Sequence, residues 1–354
     1  MNAPDEVRAM LVESATRLFN DRVDGKLLEC AKREGWSPAL WQMLEDAEFT
    51  RIGVSEAAGG AGGTLSDLAA VLRVAGRYTA PVPLAETAML AAWMLATTGL
   101  PIPRGPLAVG PTGGESLRAR RDGDRWIVSG ALQRVPWARI AQRLVLLAHT
   151  DAGGVVVSVD PARCTIRPGS NLAGEPRDAV LLQDVIAEHA ALAGSVTQSM
   201  LMLRGALTRA LLMAGALERA LDLAVRYAQE RMQFGRRIGQ FQAIQQQLAR
   251  FAADVAAAVA AALSAAGAME RDADVTLAVA SAKIRTAEAA HAGALIAHQV
   301  HGAIGVTDEY PLHHATLRLW SWREEYGNEA HWAVRLGGIT QKRGADLLWP
   351  ALTT

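Results

Sequence analysis

The sequence predicts a mainly α-helical protein with a β domain in the middle, in the order helices, strands, helices. Residues 1–104 and 189–354 carry apolar residues at helical spacing, whereas residues 105–188 carry short β-type runs between turn signals. The length of 354 residues is enough for two or three domains. We therefore predict an N-terminal helical domain over 1–104, a middle β domain over 105–188 and a C-terminal helical bundle over 189–354.

Helix-start signals divide the N-terminal region. Ser37 precedes Pro38 in SPALWQMLEDA, an N-cap followed by proline at the first helical position. Thr64 can cap a helix over TLSDLAAVLRVAGRY, and PVPL breaks the chain before another helix, ETAMLAAWMLATTG. These signals predict several short helices separated by loops.

The middle region has a different sequence pattern, with short β-type runs instead of helical spacing. The runs RWIVSG, RLVLLAH and GGVVVSVD are bounded by turn dipeptides such as Asp122-Gly123 and Gly153-Gly154. Because no helix-length pattern lies between these runs, an antiparallel barrel or sandwich is favoured over a parallel sheet with crossover helices.

The C-terminal region is helical and rich in alanine. The segments FQAIQQQLARFAADVAAAVAAAL and TLAVASAKIRTAEAAHAGALIAHQV each predict a long helix. Small side chains let helix axes approach closely, so these helices are expected to pack as a bundle.

Composition excludes several classes of protein. Lys+Arg is 36 and Asp+Glu is 36, so there is no overall charge that favours nucleic acid or an anionic membrane. The two cysteines exclude a disulfide scaffold and fit a reducing, cytoplasmic location. The sequence contains no uncharged apolar run of roughly 20 residues, so no membrane span is predicted. The histidines at 298, 301, 313 and 314 do not form a metal-ligand pattern, so no metal site is expected.

Two segments between predicted helices carry residues that are suited to binding a ligand. They are RMQFGRRIGQFQ, over 231–242, and QVHGAIGVTDEYP, over 299–311. A guanidinium at Arg231 suits a pyrophosphate, and Gln299 offers a donor and an acceptor at a helix end. The local alternative is that Arg231 only caps its helix and the glycines only serve turns.

With both segments in this order, the chain resembles the acyl-CoA dehydrogenase family. The family patterns are R-x-x-F-G-x-x-I-x-x-F-Q and Q-x-x-G-x-x-G-x-x-x-E-Y-P, and both match. The resemblance implies an N-terminal helical domain, a β-barrel or sandwich domain and a C-terminal four-helix bundle. It also implies bound FAD, an acyl-CoA substrate that is dehydrogenated at its α,β carbons, and electron transfer to an electron-transfer flavoprotein. A homodimer or homotetramer with a role in lipid metabolism is expected.

The resemblance also assigns cofactor contacts. One subunit would touch the adenosine-pyrophosphate part of FAD and a second subunit would complete the site. The first set is Arg231, Gln233, Phe234 and Ile238, and the second is Gln299, Gly302 and Ala303, where alanine replaces a usual glycine. Asn328 stands where a flavin-contacting threonine is usual.

The catalytic base departs from the family pattern. The family uses a glutamate to remove the α-proton, and its usual position here is Tyr326. Some members place the glutamate instead at a position that is Gly205 here. Tyrosine is a poor base near neutral pH, because its ordinary pKa is about 10. Glu325 is therefore the candidate base, with Glu329 as a neighbour; the alternative is that both are solvated or ion-paired surface residues.

The middle domain departs as well. The flavin-contacting loop corresponds to a shortened stretch over 110–116. Arg134 and Pro136 stand where the family has Trp and Thr, so Pro136 removes a donor to the flavin. Trp137, one residue later, is expected either to contact the flavin or to lie in the core.

These losses resemble short family members that form one half of a paired, two-gene dehydrogenase. In such pairs one chain supplies the base and the other is partly degenerate and structural. Two functions therefore stand: an acyl-CoA dehydrogenase active by itself, or a base-lacking subunit of a hetero-oligomer. A relative with different flavin chemistry is a third reading that no residue specifically favours. The sequence does not define the acyl chain.

Overall fold

The computed structural model describes residues 3–110, 117–271, 275–344 and 346. Contacts divide the chain into two compact units, one of Met1–Val74 with Ala80–Thr208 and one of Ala75–Thr79 with Arg209–Thr354. The order of helices, a β region and further helices is observed, which confirms the predicted fold class. The domain boundaries at 104 and 188 stay predictions.

The N-terminal region contains the helices α1 (Ala3–Arg22), α2 (Gly25–Glu34), α3 (Pro38–Asp46), α4 (Leu65–Arg77) and α5 (Ala92–Thr97). Of these, α3 and α4 begin where the predicted capping residues place them. The Ser37 hydroxyl accepts a hydrogen bond from the Leu40 N–H at 3.3 Å and caps α3. The Thr64 hydroxyl accepts one from the Asp67 N–H at 3.1 Å and so caps α4.

One N-terminal helix differs from the expectation. The segment predicted as a single α-helix begins as a π-helix over Ala85–Ala91 and becomes α5 only at Ala92. All seven residues of the π-helix are buried. Apolar spacing does not distinguish i→i+5 from i→i+4 hydrogen bonding in so short a buried run, and π-helical turns are frequent at functional sites.

A single sheet forms the β region. Its strands are β1 (Leu107–Val109), β2 (Arg118–Asp122), β3 (Arg125–Pro136), β4 (Arg143–Thr150), β5 (Gly153–Val159), β6 (Thr165–Arg167), β7 (Arg177–Ile186) and β8 (His189–Leu192). The order is β6-β7-β3-β2-β4-β5-β8, and β1 pairs with β4. Neighbours are antiparallel, as predicted, except that β1 and β2 each run parallel to β4. One face packs on fully buried side chains such as Val128 and Val157.

The second unit is helical. Its elements are the C-terminal part of α6 (Gln198–Glu230), the hairpin β9 (Met232–Gln233) and β10 (Arg236–Arg237), α7 (Gln242–Glu270), α8 (Val275–His301), α9 (Leu312–Glu324) and α10 (Glu329–Arg343). Helix α8 packs against α7, α9 and α10. A Cβ at Gly293 of α8 would lie 2.2 Å from the Phe251 ring of α7, so this ring packs directly on the backbone of α8 at that point.

Two helices, α6 and α7, are long and apolar enough to cross a membrane when length and composition alone are considered. The most apolar window of α6 is 83% buried, as in a core helix, whereas that of α7 is 39% buried. Core helices pass the same test, so the expectation of no membrane span stays a prediction.

Candidate cofactor and active site

The two predicted cofactor motifs follow helix ends that lie side by side. Helix α6 ends just before the hairpin, and α8 ends just before a 3₁₀ turn over Gly302–Val306. The Tyr227 ring in the last turn of α6 stacks on the His301 ring at the end of α8, with centroids 4.6 Å apart. Tyr310 packs against both rings. Within one chain, therefore, both motifs begin at the same end of the helical unit.

The hairpin after α6 presents an apolar residue to solvent. Phe234 and Gly235 form its turn with φ of 51° and 77°, and the Phe234 side chain is 91% exposed. Phe241 contacts the Phe234 ring edge-on, and the Arg236 guanidinium lies 4.1 Å from the Phe241 ring centroid. Left-handed backbone at a phenylalanine is strained, and strained residues cluster at ligand-binding sites.

The residues predicted to bind FAD are open to a ligand. Arg231, Gln233, Phe234, Gln299, Gly302 and Ala303 are exposed, and Ile238 is half-buried. The side chains of Arg231, Gln233 and Gln299 make no hydrogen bond or ion pair within the part of the chain that the structure describes. A guanidinium and two amides without protein partners form a donor set that fits a pyrophosphate. Their assignment to FAD stays a prediction.

Asn328 has a role that the sequence did not indicate. Its side-chain oxygen accepts a hydrogen bond from the His331 N–H at 3.1 Å and caps α10, while its amide donates to Glu324 at 3.2 Å. The predicted flavin contact is untested, and a flavin would compete with these bonds.

The usual base position lies in a tight, buried turn. Tyr326 is buried at φ 53°, and Gly327 follows at φ 83°. The Trp332 indole N–H donates to the backbone oxygen of Tyr326 at 2.9 Å. A Cβ at Gly327 would lie 2.7 Å from the His331 ring, so only glycine fits there. The turn therefore has a fixed conformation with no carboxylate at position 326.

Glu325, the candidate base, is held in an ion pair. Its Oε2 accepts a hydrogen bond from Nε of Arg209 at 2.6 Å, and the Arg209 side chain is only 1% exposed. The Arg209 guanidinium also lies 5.4 Å from the centroid of the Tyr326 ring. A general base needs a free lone pair within reach of the proton it removes. In this conformation the Glu325 carboxylate serves a buried guanidinium instead.

A buried lysine fixes the same turn, and sequence reasoning missed it. Nζ of Lys283 donates to the backbone oxygens of Arg323 at 2.6 Å and Gly327 at 2.8 Å. Burial lowers the pKa of Lys283 to about 7; Arg209 lowers it further and Glu325 opposes the shift. A lone lysine in the apolar run TLAVASAKIRTAE was the available signal, since lysine is almost never fully buried without partners.

The structure also places Glu329 and Gly205, the two remaining positions considered for the base. Glu329 forms an ion pair with Arg323, whose hydrogen bond lowers the pKa of Glu329 and makes it a weaker base. Gly205 lies buried in α6, one turn before Arg209 and on the same helix face.

The β-domain residues considered as flavin contacts offer few groups that could bind a flavin. Trp137 is 3% exposed, and its backbone N–H donates to the oxygen of Pro176 at 3.2 Å, so the core alternative fits the structure. Pro136 is buried in β3 opposite Arg177, and Arg134 is exposed at φ 55°. Of the shortened loop over 110–116, residues 111–116 lie outside the described residues.

The histidines near the second motif have protein partners. Nε2 of His298 lies 3.0 Å from the Thr316 hydroxyl, and Nδ1 of His301 lies 2.7 Å from the backbone oxygen of Ala297. Burial lowers the pKa of both rings, which favours their neutral form. The expectation that they bind no metal stays a prediction.

Family models match both ends of the chain. The acyl-CoA dehydrogenase N-terminal domain matches residues 5–101, and the acyl-CoA dehydrogenase C-terminal domain matches residues 194–328. Together with the helix–sheet–helix fold, these matches define an acyl-CoA dehydrogenase type of protein. The chain belongs to the acyl-CoA dehydrogenase family, which confirms the predicted resemblance.

Three similar proteins cover almost the whole chain. Acyl-CoA dehydrogenase IpdE2 of Mycobacterium tuberculosis is 28% identical over 313 residues, 88% of this chain and 90% of that protein. A chain in the crystal structure of the ChsE4–ChsE5 complex from Mycobacterium tuberculosis superposes with a TM-score of 0.89 at 25% identity, covering 98% of this chain and 99% of that one. A chain of the Tcur3481–Tcur3483 steroid ACAD variant gives 0.86 at 26% identity, covering 96% and 99%.

Proposed function

We propose that this chain is the base-lacking, cofactor-sharing subunit of an FAD-dependent acyl-CoA dehydrogenase, paired with a homologous chain that supplies the catalytic carboxylate. The observation that carries the proposal is the ion pair between Glu325 and Arg209 beside Tyr326. Both usual base positions lack a carboxylate, and the neighbouring carboxylate serves a buried cation. Separating the two side chains to free a base would break a charge-assisted hydrogen bond of a buried guanidinium, which is costly.

The chain's own residues are suited to holding the dinucleotide. Arg231 and Gln233 would bind the phosphates of one FAD from the hairpin, and Gln299 at the end of α8 would complete the site of an FAD held by the neighbouring subunit. Phe234 would pack its exposed ring against the adenosine or the neighbouring subunit. FAD, once bound, would accept the hydride when the acyl-CoA thioester loses its α,β hydrogens. The partner chain would remove the α-proton.

The similar proteins support a paired assembly. The ChsE4–ChsE5 and Tcur3481–Tcur3483 structures each name two proteins, and the matched chains have nearly the same length as this one. We further propose that the assembly is cytoplasmic, that it acts in lipid metabolism, and that its electrons pass to an electron-transfer flavoprotein.

A second candidate is an acyl-CoA dehydrogenase active by itself with Glu325 as base. IpdE2, a relative across 88% of this chain, bears the name acyl-CoA dehydrogenase, and the Glu325 side chain keeps 11% exposure. In this case a substrate would have to separate Glu325 from Arg209.

Anaerobic flavin bleaching separates the two candidates. The full chain is purified alone and with a co-expressed homologous subunit, and each sample is mixed with acyl-CoA while flavin absorbance is recorded. The base-lacking proposal expects bleaching only in the co-purified complex, and it expects Glu325→Gln in this chain to leave that bleaching intact. The second candidate would be established instead if the chain alone is bleached and if Glu325→Gln abolishes this bleaching while FAD stays bound.

A further inference from the structure

In the first of the two units, the guanidinium of Arg204 has no acidic partner among the residues that the structure describes. Nη1 of Arg204, on α6, donates to the backbone oxygen of Met89 at 3.2 Å and lies 3.5 Å from the Met89 sulfur. The guanidinium carbon is 4.4 Å from the centroid of the Trp93 ring. Met89 belongs to the π-helix and Trp93 to α5, so a thioether and an indole form the walls around this cation.

Among the described residues, no acidic group compensates the charge of Arg204. Within the part of the chain that the structure describes, no carboxylate lies within ion-pairing distance of Arg204. Burial lowers the pKa of Arg204 to about 9, so the group stays charged at neutral pH but pays for its desolvation. A buried charge is normally paired, and an uncompensated one in a native structure calls for a ligand.

The guanidinium nitrogens of Arg204 that do not bind Met89 lie on one side of the group. Nη1 is used by Met89, while Nε is fully buried without a hydrogen-bond partner. Nη2 also makes no hydrogen bond to the described residues. Nε and Nη2 together form the side of the fork that binds the two oxygens of a carboxylate in parallel. Arg204 and Trp93 are half-buried and Nη2 is not among the fully buried atoms, so a ligand oxygen would meet the fork from the Nη2 side.

We propose that Arg204 binds a carboxylate at the far end of the substrate's acyl group, so that the assembled enzyme prefers acyl-CoA thioesters carrying a second acidic group. The aliphatic part of such a chain would pack on Met89 and Trp93. This inference rests on the proposed function, because it takes the acyl-CoA thioester as the ligand.

Calorimetric titration of the purified complex tests the inference. Glutaryl-CoA and valeryl-CoA have the same chain length and differ in the terminal carboxylate. We expect the complex to bind glutaryl-CoA at least about tenfold more tightly, the factor that a charge-assisted hydrogen bond is worth. Arg204→Gln should abolish this preference without weakening valeryl-CoA. Arg204→Lys should retain part of it, because lysine keeps the charge but loses the fork.

Arg118→Gln is the matched control, since Arg118 is an exposed arginine on β2 with no ion pair to the described residues. It should leave both affinities unchanged. Equal affinities in the unaltered complex, or a preference that survives Arg204→Gln, would overturn the inference while leaving the proposed function standing. Dissociation of the complex in Arg204→Gln would also overturn it, by assigning Arg204 to a subunit contact. Failure of both thioesters to bind would instead reject the proposed function.

Discussion

A single buried lysine fixes the turn around the usual position of the catalytic base. Lys283 is fully buried and ties the backbone oxygens of Arg323 and Gly327 to α8. It thereby fixes the turn that holds Glu325 and Tyr326. The arrangement favours a rigid structural turn over a mobile base, because three charged side chains, Lys283, Arg209 and Glu325, depend on one another there.

We expect Lys283 to make stability pH-dependent. Its pKa is about 7 in the folded chain, against an ordinary value of 10.5, so the unfolded state binds more protons between these two values. The free energy of unfolding should therefore rise with pH across that window, by at most about 1.4 kcal/mol per pH unit, and stay flat with respect to this group below pH 7. Urea unfolding at pH 6.5 and 9 measures the rise.

Lys283→Met should remove this increment and also lower stability at pH 9, because the oxygens of Arg323 and Gly327 lose their donor. Lys26→Met changes an exposed lysine and should keep the increment. Parallel pH dependence in the unaltered chain and in Lys283→Met would contradict the assignment.

At the scale of secondary-structure elements, glycines decide how closely α7 and α8 pack. A Cβ at Gly293 would lie 2.2 Å from the Phe251 ring, whereas a Cβ at Gly337 on α10 would meet nothing within 4 Å. We expect Gly293→Ala to destabilise the protein by about 1–3 kcal/mol through overpacking. Gly337→Ala should stabilise it by up to about 1 kcal/mol, since alanine favours helix. Thermal unfolding of both variants measures the difference; equal shifts would refute the close approach.

Local signals in the sequence predicted the elements well. Ser37 and Thr64 cap the helices they were expected to cap, because capping depends on residues only three apart. The π-helix over Ala85–Ala91 was not predictable, since the apolar run has no signal for the wider turn. The partners of Glu325 were also out of reach. Arg209 lies 116 residues away, so that only packing of helices brings the two together.

At the scale of the whole molecule, the hairpin with the predicted cofactor contacts is exposed. Phe234 is 91% exposed and Met232 is 53% exposed on a hairpin of two short strands. The side chains of Arg231 and Gln233 beside them make no hydrogen bond or ion pair among the described residues. Apolar side chains on so small a hairpin are poorly stabilised alone. This exposure is consistent with the proposal that FAD and a second chain cover the hairpin in the assembled protein.

Phe234→Asp should therefore prevent both assembly and FAD retention, because it places a carboxylate in an apolar contact and beside the anionic phosphates of FAD. Light scattering of the co-purified chains would give the mass, and the absorbance ratio of flavin to protein would give FAD occupancy. Leu172→Asp is the matched control: Leu172 is 69% exposed outside the predicted cofactor motifs and should tolerate the same change. A Phe234→Asp complex with full mass and full flavin content would show that the hairpin binds neither partner nor cofactor.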